Sequence, residues 1–192
     1  MRIVGGKYRR KKLISPTSPG TRPTSDRTRE TIFNILLHNR ALGVNTLNHK
    51  AILDVFAGTG ALGLEAFSRG AKSVTFIENN KVALIALYMN VKDFDLPSSS
   101  VLEQDIHDLG RASKPFDLIF LDPPYQKGLI PSTLDQLLSQ GWLSEEAVIV
   151  MEIAKSESLV IPSYLIPITE RIVGAAKIIF CRLTGNFNVN HY

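Results

Sequence analysis

The chain has 192 residues, the length of one domain with room for a small appendage. With 44% hydrophobic and 21% charged residues, 13 glycines and 10 prolines, it is neither disordered nor collagen-like, and its single cysteine, Cys181, excludes an internal disulfide framework. The net charge of +4 conceals an asymmetry: residues 1–40 carry ten Lys or Arg against two acids, and residues 41–192 carry twelve against sixteen.

Arg2 to Leu13 reads as two short strands joined at Gly5-Gly6, with basic residues clustered on the second half. Residues 15–24 read as loop. Ser25 or Asp26 can cap a helix over about 26–38, with Ile32, Ile35, Leu36 and Asn39 on one face and Asp26 and Glu30 placed well for the helix dipole. From Ala51 onward, short β-rich runs alternate with helical stretches, as βαβ units of a parallel sheet do. Strands are expected at 51–56, 73–78, 100–105, 116–122 and 147–153. Helical pieces fit at Gly60–Ser68, Asn80–Phe94 and Leu129–Gln140, with a short turn near His107–Ala112. Leu165–Val173 and Ala176–Leu183 flank Gly174-Ala175 with no room for a helix and read as a closing antiparallel pair.

The four histidines are scattered and no Cys lies near them, so no metal is expected. The longest apolar run, Val82–Met89, is 8 residues, far short of the ~20 that cross a bilayer. The basic N-terminus lacks the apolar stretch of a secretory signal. These features predict a cytoplasmic protein that does not engage membranes.

Asp54-Val55-Phe56-Ala57-Gly58-Thr59-Gly60-Ala61-Leu62-Gly63 follows the first strand, and Glu78 ends the second. Glycines there let the backbone turn tightly and a ligand approach it, beside a helix N-terminus with unpaired N–H groups. A carboxylate at the end of the second strand can accept both hydroxyls of a ribose. The same spacing fits a dinucleotide site, but Asp54 argues against an anionic pyrophosphate and for a cationic ligand such as S-adenosylmethionine. Asp54 could instead do no more than hydrogen-bond the turn.

The fourth strand delivers Asp122-Pro123-Pro124-Tyr125 at its C-terminal end, where open parallel sheets bind ligands. Proline fixes its own φ and biases the residue before it, so the tetrad holds a carboxylate and a carbonyl in a rigid cup. Asp122 and the Pro123 carbonyl can each accept one N–H of an exocyclic amino group on a planar heterocycle. Those bonds aim the nitrogen lone pair at a methyl donor and stabilise the charge that develops there. Tyr125 offers a face on which an unpaired base can stack.

The core resembles the amino-methyltransferases of the Rossmann-like superfamily that use S-adenosylmethionine. Arg2-Ile3-Val4-Gly5-Gly6, Arg22-Pro23-Thr24-Ser25-Asp26-Arg27-Thr28-Arg29-Glu30, the Asp54 loop and Leu121-Asp122-Pro123-Pro124-Tyr125 together resemble the bacterial 16S rRNA guanine-N2 methyltransferase RsmD family. The resemblance implies an α/β fold with a mostly parallel seven-stranded sheet and an antiparallel C-terminal strand. It divides the chain into a basic extension, 1–40, and a methyltransferase core, 41–192. It places Asp54, Gly58 and Gly60 around the methionine part of S-adenosylmethionine, with Phe56 and Thr59 also among the cofactor-binding residues, Glu78 on its ribose and Asp105, ending strand three, on its adenine amino group. Arg22 and Thr24 would lie near the cofactor or the base entry, and S-adenosylhomocysteine would be the product. Asn79-Asn80 departs from relatives that often carry an acid at the second position.

The implied substrate is a guanine of 16S rRNA in an assembled 30S subunit or late precursor, modified by a monomer. Arg9, Arg10, Lys11 and Lys12, beside Tyr8, would then neutralise phosphates, unless they form a solvated face. Arg27 and Arg29 read as surface partners of Asp26 and Glu30. Two other functions remain open: an adenine-N6 nucleic-acid methyltransferase, for which the chain has no sizeable target-recognition domain, and a non-catalytic RNA-binding assembly factor, for which Asp54, Glu78 and Asp122 have no evident use.

Overall fold

Seven strands form one sheet in the order β3-β2-β1-β4-β5-β7-β6. They are β1 (Ala51–Val55), β2 (Ser73–Ile77), β3 (Ser100–Leu102), β4 (Phe116–Leu121), β5 (Leu143–Ala154), β6 (Leu165–Val173) and β7 (Ala176–Leu183). The computed structural model describes residues 1–15, 25–96, 100–124 and 128–184. Strands β1 to β5 pair in parallel, and β7 runs antiparallel to both β5 and β6. The expected α/β sheet and its C-terminal reversal are therefore both present.

Successive residues of a strand face opposite sides, and the core divides accordingly. Ile52, Phe76, Phe120, Val150 and Phe180 pack on one face against α1 (Asp26–His38), α2 (Ala61–Ser68) and α3 (Lys81–Asp93). Leu53, Ile119, Ile149, Met151 and Cys181 pack on the other against α4 (Leu129–Ser139) and the loop around Ile106 and Leu109. The division follows from handedness: crossovers from β1 to β2 to β3 advance one way along the sheet and that from β4 to β5 the other, so right-handed connections put their helices on opposite faces. The chains leaving β1 and β4 diverge, opening a crevice at the C-terminal ends of these neighbouring strands.

Helix α1 starts as expected, with the Ser25 hydroxyl accepting from Thr28 N at 3.0 Å. Two expectations about the basic N-terminus need correction. The paired strands reduce to a single bridge, Arg2 to Lys12. Val4 N and Gly5 N donate to the fully buried Glu65 carboxylate at 2.7 and 2.8 Å, leaving no N–H for a ladder there. Gly6 has φ +77° and lies so close to Ser68 O that a Cβ would sit 1.9 Å from it. Second, Arg29 is not a surface residue: it is fully buried, donating to Arg2 O and to Asp26 Oδ1 at 2.8 Å.

Strand β3 stops at Leu102, three residues before the expected end, because Asp105 caps a 3₁₀ turn, Ile106–Asp108. Strand β5 starts earlier than expected, at Leu143, with a register shift against β4 that accommodates the exposed acids Glu145 and Glu146. No described helix is long and apolar enough to cross a membrane.

Candidate active site

The crevice between β1 and β4 collects most of the acids singled out in the sequence. Asp54, on β1, is 2% exposed, and its Oδ2 accepts from Gly63 N, in the first turn of α2, at 2.8 Å. A Cβ on Gly63 would lie 2.5 Å from the Phe76 ring and 3.0 Å from that same Oδ2, so only glycine lets α2 approach the sheet this closely. The turn-bonding role for Asp54 is therefore real. Burial pushes its carboxyl well above the ordinary carboxylate range, the Gly63 N–H pulls it back, and the nearby charges of Asp122 and Glu78 push it further up.

Phe56, which leaves β1, has φ +60°, a left-handed conformation costing about 1–3 kcal/mol for a residue that is not glycine. That turn starts the loop Ala57-Gly58-Thr59-Gly60. Gly60 N donates to Ala57 O at 2.7 Å, and Gly60 itself serves as the N-cap of α2. A Cβ on Gly58 would meet nothing nearer than Phe56 O at 3.9 Å, so the space over this part of the loop is open.

Glu78 follows β2 and is 9% exposed. Its Oε2 accepts from Gly58 N at 2.8 Å, and its Oε1 accepts from Asn79 N at 3.0 Å and Asn80 N at 2.8 Å. The carboxylate thus ties the glycine loop to the start of α3, and of its roughly four lone-pair directions one is left for a ligand. Asp105 is not at a strand end. Its Oδ1 accepts from His107 N at 3.0 Å and its Oδ2 from Asn79 Nδ2 at 2.8 Å. Asn79 thereby links the β2 and β3 loops.

Asp122 and Pro123 follow β4 directly, in register with the end of β1, where Val55 pairs with Leu121. Asp122 is half-buried, Pro123 buried and Pro124 exposed. Three sequence candidates, Arg22, Thr24 and Tyr125, lie outside the described residues. Among the described residues no group of three His, Cys, Asp or Glu could hold a metal ion.

The basic run divides. Arg9, Arg10 and Lys12 are exposed. Lys11 is not available in the same way: its Nζ donates to Asp93 O at the end of α3 and lies 4.5 Å from the Phe94 ring centroid. Tyr8 is also committed, stacked on Phe67 at 6.0 Å between ring centroids and donating its hydroxyl to Phe94 O at 3.2 Å.

Sequence reasoning missed Asn90. It is 1% exposed, and its Nδ2 donates to both Thr59 O and Ile14 O at 3.0 Å while its Oδ1 accepts from Ile14 N at 2.7 Å. It fastens the N-terminal segment to the glycine loop. The signal was present, since Asn90 shares helical spacing with buried Ala83, Ala86 and Leu87 and is the polar residue on that apolar face.

Residues 1–182 match the family model described as Conserved hypothetical protein 95. The chain is 39% identical over 153 residues to ribosomal RNA small subunit methyltransferase D of Escherichia coli, covering 79% of this chain and 74% of that protein. It is 35% identical over 179 residues to the protein of the same name from Haemophilus influenzae, covering 91% and 89%. Among solved structures, a putative methyltransferase yhhF from Escherichia coli superposes with a TM-score of 0.83 at 32% identity, covering 97% of this chain and 99% of that one.

Proposed function

The chain belongs to the RsmD family of 16S rRNA methyltransferases, and on that premise we propose that it transfers a methyl group from S-adenosylmethionine to the exocyclic N2 of a guanine in 16S rRNA. The observation that carries this reading is the convergence of Asp54, Glu78 and Asp122: Asp54 is raised first by burial, and the charges of Asp122 and Glu78 are near enough to push it further up. Asp54 and Glu78 beside an open glycine loop fit a cationic ligand and oppose a pyrophosphate, and Asp122, on the neighbouring strand, offers an acceptor on the other side of the crevice.

When bound, S-adenosylmethionine supplies an electrophilic methyl on a sulfonium. The protein's own residues do the rest. Asp54, Gly58 and Gly60 shape the site for the cationic end, and the remaining lone pair of Glu78 takes a ribose hydroxyl. Asp122 and the Pro123 carbonyl accept the two amino protons of the target base and hold the N2 lone pair in line. As the new N–C bond forms at the expense of the methyl's bond to sulfur, the Asp122 carboxylate would stabilise the positive charge on nitrogen and receive the proton that nitrogen sheds.

The raised Asp54 predicts a pH dependence. Its folded pKa lies above its unfolded one, so its contribution to stability is full below the ordinary carboxylate value and is lost as pH rises through the folded pKa. A cation prefers the ionised form, so affinity for S-adenosylmethionine should rise over the same window. Calorimetric titration across pH should show this trend, and Asp54→Asn should flatten it; a parallel slope in that variant would remove Asp54 from the cationic site.

We assign residues 1–40 the task of holding the RNA, and 41–192 the chemistry. The exposed cations Arg9, Arg10 and Lys12 lie by the Phe94 end of α3, and Glu78 lies at its other end. A helix of 13 residues is ~20 Å long, so RNA held by these cations meets the protein about one helix length from the cofactor side of the site. Replacing Arg9, Arg10 and Lys12 together by Ala should weaken binding and reduce the slope of log K against log salt by roughly 2–3. An unchanged slope would make these residues a solvated surface.

The deciding experiment supplies labelled S-adenosylmethionine with naked 16S rRNA, 30S particles or DNA and identifies the modified nucleoside. N2-methylguanine in rRNA is expected. N6-methyladenine would sink the proposal, and the absence of label on every substrate would point to a non-catalytic binding factor.

A further inference from the structure

Strand β5 contributes a buried run, Ala147–Ile153, that is apolar except at Glu152. That carboxylate is 7% exposed, flanked along the strand by Met151 and Ile153 and opposite Ile178 of β7. A carboxylate at this depth costs desolvation, and packing alone would favour another Val or Ile. Glu152 lies one step beyond the register pair Leu121–Met151, beside Asp122 on the neighbouring strand. Alternation places both on the sheet face that carries Asp54. Adjacent strands are ~4.8 Å apart, so two acceptors stand side by side at the C-terminal edge of the sheet.

The two strand ends also share a cavity of about 240 Å³, lined by Pro123, Pro124, Leu129, Glu152, Leu159 and Val160, among others. It is smaller than the roughly 300–1,000 Å³ pockets that enclose drug-sized ligands, and its lining, mostly apolar but with Glu157 and Ser158 beside Glu152, suits one flat heterocycle. Resting on the reading of guanine N2 as the target, we propose that Glu152 is the residue that selects guanine, its carboxylate accepting the N1–H while Asp122 and the Pro123 carbonyl hold the 2-amino group.

The chemistry separates guanine from adenine on one atom. Guanine presents N1–H and the 2-amino N–H as adjacent donors, matching acceptors on adjacent strands. Adenine N1 carries a lone pair, which would face the Glu152 carboxylate with no proton between them. A buried acceptor left without its donor rejects the wrong base far more strongly than a missing apolar contact does.

The test uses 2-aminopurine, which keeps the 2-amino group but has no proton on N1. After the modified guanine is mapped, splint-ligated 16S rRNA carrying either guanine or 2-aminopurine at that position is assembled into 30S particles, and methylation rates are compared. The wild type should prefer guanine by at least ~10-fold, the order of discrimination that one paired base edge provides. Glu152→Gln, whose amide can donate to an unprotonated N1, should bring the two rates within a few-fold of each other. Equal rates for the wild type, with N2-methylguanine still the product, would overturn the role of Glu152 and leave the proposed function standing. An unchanged preference in a folded Glu152→Gln variant would do the same. Label on adenine would overturn both.

Discussion

Asp122→Ala is expected to lower kcat for methyl transfer by about 10³-fold while leaving the Kd for S-adenosylmethionine within about threefold. The asymmetry follows from position. Asp54 is bonded to the first turn of α2 and Glu78 to the glycine loop, at 2.8 Å to Gly63 N and to Gly58 N, so they shape the cofactor side of the crevice. Asp122 follows β4 on the other side, half-buried and joined to the rigid Pro123-Pro124. Removing its carboxylate deletes an acceptor from the amino group and takes a negative charge away from the transition state, whereas cofactor binding keeps its other contacts. Single-turnover rates with saturating RNA, together with a calorimetric Kd, measure both quantities. A loss of cofactor affinity as large as the loss of rate would reassign Asp122 to the cofactor.

A second large effect concerns stability. Glu65→Ala should cost about 3–5 kcal/mol, because it strips a fully buried acceptor from three donors at once. Val4 N, Gly5 N and Arg69 Nε all end on this carboxylate, the last at 2.7 Å. Arg69, which lies over the Phe33 ring at 4.9 Å, would be left without its ion-pair partner. For a chain of this size the loss corresponds to a fall in Tm of roughly 10 °C. Thermal unfolding measures it, and limited proteolysis should show the first fifteen residues cut before the core. A Tm within about 2 °C of the parent would mean that the N-terminal segment is held mainly by its apolar contacts.

Glu65 marks the limit of what could be read in advance. The sheet was legible because each strand carries its own evidence: two-residue alternation sets its faces, and the acids that end β1, β2 and β4 stand at fixed offsets from it. The position of Asp122-Pro123-Pro124 at the end of β4 was legible for the same reason, being local. Long-range choices carried no such mark. Nothing near Lys11 shows that its ammonium ends on Asp93 O, 82 residues away, and nothing near Arg29 shows that its guanidinium is buried against the Arg2 carbonyl. Asp105 was misplaced because a 3₁₀ turn capped by its own side chain ended β3 early. The sign of the Asp54 effect was also hidden, since desolvation depends on how closely α2 approaches the sheet at Gly63.

The bonds that hold Val4, Gly5, Tyr8 and Ile14 span 60 to 76 residues of chain. During synthesis from the N-terminus, the first fifteen residues therefore emerge long before anything exists for them to dock on. Strand β1 and helix α2 must form before Glu65 and Ser68 can receive the Val4–Tyr8 turn, and α3 must be nearly complete before Asn90 can take Ile14. Such distant closures come late in folding. These early-made residues are thus among the last to become ordered, and they stay basic and unattached while the core takes shape.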